Sequence, residues 1–110
     1  MSSSLVSKKC VPCEGGVLPF DMSQIDAHRK ELNLVWNVVD QKQIQREFIF
    51  KDFKAAMVFV NKVAEIAEEE GHHPDTHIFY NKVRLELSTH SIHGLSENDF
   101  IVAAKIEELL

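Results

Sequence analysis

Between Asp52 and Gly71 the chain carries a helical signature that constrains everything around it. Phe53, Ala56, Met57, Val60, Val63, Ala64 and Ala67 recur at three- and four-residue spacing, the period of one buried helix face. Asp52 opens the segment, Gly71 can take the positive φ that closes a helix, and Pro74 forbids continuation. On both sides the apolar period changes to two. Leu34, Trp36 and Val38 alternate, as do Ile44, Arg46, Phe48 and Phe50, which predicts a hairpin with its loop at Asp40 to Gln43. Ile78 to Tyr80 and Val83 to Thr89 predict a second hairpin. In it Val83, Leu85 and Leu87 face one side, and Arg84, Glu86, Ser88 and His90 the other. Ser23 is the expected cap of a first helix reaching about Leu32, with Ile25, His28 and Leu32 on one side. Ser96 with Asp99 has the form of a capping box opening a last helix, whose stripe is Val102, Ile106 and Leu109. The expected fold is α+β: a four-stranded antiparallel sheet with three helices packed on one face, in the order α-β-β-α-β-β-α.

Residues 1–19 hold both cysteines, two of the three prolines and Gly15-Gly16, and read as a mostly irregular arm before a domain spanning 20–110. A net charge of −5 argues against an electrostatic nucleic-acid binder or an anchor to acidic membranes. No apolar run reaches 18 residues, and the N-terminus lacks the apolar core of an export signal. With two cysteines, a reduced, cytoplasmic setting is the expectation.

Five of the six histidines lie in EGHHPDTH (70–77) and STHSIHGL (88–95). Imidazole changes charge near neutrality, so such a cluster points to proton transfer or metal binding. If Asn81-Lys82 is the hairpin turn, Tyr80 faces Val83, Phe79 faces Arg84, and His73 faces His90 on one side of the ribbon, with His72 beside them. His72, His73 and His90 are therefore the candidate catalytic groups. Glu68, one turn before His72, is the candidate to orient that imidazole, whereas Glu69 and Glu70 read as solvated charge. Thr89 and Ser91 offer hydroxyls beside His90 for a flat heterocycle. Asp99 reads as a cap, and His28, His77 and His93 as incidental. A zinc site built from His72, His73, His77 and His90 is disfavoured, because adjacent strand histidines point apart, no HExxH helix exists, and Cys10-x-x-Cys13 has no second pair.

With EGHHPD (70–75), YNKVRLELSTHSIHGLSENDF (80–100) and FIFKDF (48–53) in view, the chain resembles the pterin-4a-carbinolamine dehydratase family over roughly residues 20–107. The resemblance implies an α+β fold and loss of water from 4a-hydroxytetrahydrobiopterin to give quinonoid dihydrobiopterin, in tetrahydrobiopterin recycling. It implies His72, His73 and His90 as catalytic residues and Glu68 as the family's carboxylate one turn earlier; with Glu68, the residues expected at the substrate are Gly71, Ser88, Thr89 and Ser91. It also implies no metal or organic cofactor and assembly as a homodimer or homotetramer. Animal members also serve a homeodomain transcription factor as coactivators. They carry Asp before the double histidine and Trp after HHPE, where this chain has Gly71 and Thr76. Such a partner is accordingly not expected here. The competing readings are a non-catalytic dimeric regulatory module and a metal-dependent hydrolase.

Overall fold

The computed structural model describes residues 4–11 and 17–110. Helices α1 (Met22–Arg29), α2 (Phe53–Glu70) and α3 (Glu97–Glu107) alternate with strands β1 (Asn37–Val39), β2 (Gln43–Ile49), β3 (Asp75–Phe79) and β4 (Lys82–Leu87). This is the element order expected from the sequence. The strands form one antiparallel sheet in the order β1-β2-β4-β3. Among the described residues no helix is long and apolar enough to cross a membrane. Cys13 and Gly15-Gly16 lie outside the described residues.

The alternation in β4 is realised as read: Val83, Leu85 and Leu87 are fully buried, and Arg84 and Glu86 are half-buried. Helix α2 starts at an Asp52 cap, whose side chain accepts from the Ala55 amide, and ends at Gly71 with φ 65°. Its buried face is Ala56, Phe59, Val63 and Ala67, so Phe59 belongs to the core and Phe53 does not. Burying Phe59 and Val63 stabilises the packing by about 1.5–3 kcal/mol each.

Three local expectations are corrected. Helix α1 is capped by Asp21, not Ser23: Asp21 accepts from the Gln24 amide while Gln24 Oε1 accepts from the Asp21 amide. The first strand begins at Asn37, not Leu34. The amides of Asn33 and Leu34 and the indole N–H of Trp36 are taken by the carboxylate of Glu107, at 2.9, 2.8 and 3.0 Å, so this stretch is tied to α3 instead of a strand neighbour. Helix α3 is buried nearly all round, not along one stripe. A 3-10 turn at Ser4–Ser7, within the arm expected to be mostly irregular, buries Leu5 in the same core.

The second hairpin also turns differently. Phe79 faces Lys82 and His77 faces Arg84, so the two-residue loop is Tyr80-Asn81, with Tyr80 at φ 53°. The ladder ends at Asp75 opposite Glu86. His73 precedes β3 and His90 opens a 3-10 turn, His90–Ile92, so the expected pairing of His73 with His90 across strands does not occur. The register differs by two residues, and a shift of two returns every side chain to its original face, which is why the face assignments in β4 survive.

Candidate active site

The end of α2 decides where the double histidine goes. On a continued helix Glu68 would stand beside His72, but Gly71 adopts the left-handed conformation and turns the chain. His72 swings inward and its Nε2 lies 2.6 Å from Oδ1 of Asp99. His73 points outward, its Nε2 2.5 Å from Oε2 of Glu68. Glu68 therefore pairs with His73, not with His72 as expected. That pair is largely exposed, whereas Asp99 is fully buried and His72 mostly covered, at 0% and 12% side-chain exposure.

Asp99 is fixed by more than the helix it caps. Its Oδ2 accepts from the Thr89 hydroxyl at 2.8 Å and from the Ser96 amide at 3.0 Å, while the Thr89 and Ser96 hydroxyls lie 2.7 Å apart. A carboxylate has only acceptors, so Nε2 of His72 carries the shared proton. The tautomer and ring orientation are thereby set, the arrangement by which a buried carboxylate serves an acid–base imidazole.

His90 is presented by a small closed loop. Thr89 and Gly94 exchange backbone bonds, and His93 at φ 53° completes the reversal. His90 and Ser91 stay exposed while Ile92 is buried beneath them. Gly94 is required for packing: a Cβ there would lie 2.5 Å from Cβ of Pro19.

These segments enclose a cleft of about 640 Å³ lined by His72, His73, His90, Gly71, Ser88, Thr89 and Ser91, together with Cys10, Val11, Glu70, Pro74, Asp75 and Asn98. Of the candidate catalytic and substrate-binding residues read from the sequence, only Glu68 is missing from the lining. The volume suits a bicyclic heterocycle with a short side chain. His77 pairs with Glu86 on the sheet, 3.2 Å away, and His28 packs between Phe20 and Phe100; neither lines the cleft. Among the described residues no three His, Cys, Asp or Glu side chains converge to hold a metal ion.

Two features of the site are not legible in the sequence. Asp99 was visible only as a cap. Glu70, read as solvated charge, is 3% exposed at its side chain; it accepts from the Cys10 amide at 2.9 Å and pairs with Lys105 at 3.2 Å. Burial acts to raise its pKa, but the Cys10 N–H and the Lys105 ammonium prevail and hold it below the usual carboxylate value. Burial, with Glu70 beside it, pushes the Cys10 thiol up to about 12.

Fold and site together define a small α+β protein with a histidine-lined cleft and a carboxylate-held imidazole. Residues 19–109 match the model of the family described as pterin 4 alpha carbinolamine dehydratase. Relatives named for pterin-4-alpha-carbinolamine dehydratase include one from Nitrosospira multiformis, 48% identical over 96% of this chain and 91% of its own length. Another, from Alkaliphilus metalliredigens, is 42% identical over 96% of both chains. A crystal structure from Brucella melitensis, described as a transcriptional coactivator/pterin dehydratase, superposes with a TM-score of 0.77 at 35% identity, covering 83% of this chain and 97% of that one. The chain belongs to the pterin-4-alpha-carbinolamine dehydratase family.

Proposed function

We propose that this chain removes water from a 4a-hydroxytetrahydropterin, with 4a-hydroxytetrahydrobiopterin as the recycled substrate and quinonoid dihydrobiopterin as product. The observation that carries the reading is His72, oriented by buried Asp99, in one cleft with His73 and His90. In the reaction the C4a–O bond breaks and its electron pair leaves with oxygen, which takes a proton. N5 gives up its own proton, and the N5–C4a double bond forms. The sum is loss of one water with no change of oxidation state, so proton transfer alone suffices. An imidazolium supplies the first proton, and a neutral imidazole or water accepts the second, each well-placed transfer contributing about 10²–10⁴-fold.

His72 and His90 are the acid–base pair of this proposal, serving opposite faces of the pterin. His73, more exposed than His72, holds the substrate. Ser88, Thr89 and Ser91 supply polar edges to the ring, with Gly71 giving close backbone approach. Thr89, whose hydroxyl is committed to Asp99, acts chiefly through its position. Glu68 acts on substrate only through His73.

Assembly as a homo-oligomer is part of the same reading. Strand β3 is a sheet edge, and Ile78 and Phe79 at its end and Tyr80 after it are exposed, with Tyr80 stacked on Phe53. The decisive measurement is spectroscopic decay of 4a-hydroxytetrahydropterin with and without the purified chain. Acceleration that His72→Ala together with His90→Ala abolishes is expected. Decay at the uncatalysed rate would leave the non-catalytic interaction role, a role for which the Brucella melitensis protein's double description provides the precedent.

A further inference from the structure

The family match begins at residue 19, yet the arm before it is fastened to the domain repeatedly. Leu5 is fully buried in the core. Lys8 Nζ donates to Oε2 of Glu97 at 3.0 Å. The Cys10 amide donates to Oε1 of Glu70 at 2.9 Å. Val11 is gripped on both backbone groups by a single side chain: its N–H donates to Oδ1 of Asn98 at 3.1 Å, and its C=O accepts from Nδ2 of Asn98 at 2.6 Å. An amide side chain bonded in this way imitates a neighbouring strand and fixes the orientation of the residue it holds. Both anchors are themselves nearly buried, Glu70 at 3% side-chain exposure and Asn98 at 4%.

These bonds hold the arm at one place in particular. Cys10 and Val11 line the same cleft as His72, His73 and His90. Val11, 65% exposed, offers an aliphatic side chain in a cleft whose other lining residues are mostly polar. The Cys10 thiol, pushed up to about 12 by burial and by Glu70, stays protonated at neutral pH and presents neutral sulfur, not a nucleophile.

We propose that Glu70 and Asn98 are positioning residues that hold Cys10-Val11 as a wall of the substrate cleft, so that the arm sets how tightly the pterin is captured. This rests on the dehydratase reading and extends it to a segment outside the matched family domain. No arm group moves a proton, so the effect falls on KM and not on kcat.

The test compares steady-state dehydration by full-length variants. Asn98→Ala and Glu70→Ala are expected to raise KM about tenfold or more with kcat within about threefold of wild type. Glu70→Gln, which keeps an acceptor for the Cys10 amide, falls between. Val11→Trp alters an exposed position without endangering the fold, and also raises KM. Arm release is read separately, as faster amide exchange at residues 8–11 and faster iodoacetamide labelling of Cys10. A released arm with unchanged KM overturns the proposal, and so does a folded Val11→Trp protein with wild-type KM. If wild type is active and the arm variants match it, the arm proposal alone falls. If wild type does not dehydrate, the function itself falls, and binding of 7,8-dihydrobiopterin by fluorescence quenching decides the arm: weaker binding in the variants supports it, equal or absent binding overturns it.

Discussion

His72 and Asp99, 27 residues apart in the chain, meet at 2.6 Å because the end of α2 and the start of α3 face the same cleft. Asp99 is already held by Thr89 and Ser96. The carboxylate is thus a fixed reference that orients the imidazole, and the capping box of α3 is built into the candidate catalytic machinery.

Asp99→Asn is expected to separate these duties. The amide can still accept from the Ser96 N–H, but a donor now competes for His72 Nε2, and the ring must change tautomer. We expect kcat for the stereoisomer that His72 serves to fall about 10²-fold or more, with stability lowered by about 1–3 kcal/mol through imperfect satisfaction of a buried group. Steady-state rates and urea unfolding check this. Wild-type kcat in a folded Asn variant would reduce Asp99 to a helix cap.

His72→Ala and His90→Ala should each leave partial activity, one pterin face remaining served. The double variant should lose far more than either alone, because no acid remains. His73→Ala should mainly raise KM. Dehydration of each separated 4a-hydroxy stereoisomer is the measurement. Equal and complete loss in both single variants, for both isomers, would mean one concerted acid–base unit instead of two donors.

Glu70 links stability to acid pH. Its folded pKa lies below the ordinary 4.5, so the stability it contributes is fully present above that value and is lost as pH falls through the folded pKa. Glu70→Gln removes this dependence. Urea midpoints measured across roughly pH 3–6 should therefore fall less steeply for the variant than for wild type. Parallel curves would show that Glu70 carries no native-state advantage in the charged form.

Two glycines should respond differently to alanine. Gly71 has φ 65° with nothing within 4 Å of a new Cβ, so Gly71→Ala should cost only the left-handed penalty, about 1–2 kcal/mol. Gly94→Ala drives a Cβ to 2.5 Å from the Pro19 ring and must shift the loop that presents His90. Thermal unfolding and activity should show Gly94→Ala losing activity out of proportion to its stability. Wild-type activity in a folded Gly94→Ala protein would mean that this loop tolerates displacement.

Local patterns were legible wherever one period dominated. The centre of the α2 stripe, its Asp52 and Gly71 ends, the β4 alternation and the Ser96-Asp99 box are each encoded within a few residues, although Phe53 and Ala64 are exposed and Phe59 takes a core place the stripe did not include. The hairpin register was not, because it depended on Tyr80 adopting a left-handed backbone that a large aromatic residue rarely takes, one place before the Asn that sequence would choose. The β1 boundary was hidden for another reason: Glu107, some seventy residues away, takes the amides at Asn33 and Leu34.

By itself the sequence determined the order of elements, the faces of the strands and the set of histidines that gather at one cleft, since period and residue chemistry are local properties. Only the tertiary structure decided the pairing within that set. A single left-handed residue, Gly71, sends His72 to Asp99 and His73 to Glu68. The burial that makes Glu70 an anchor for the arm arises from packing against Lys105 and Cys10, distant segments whose meeting no local pattern records.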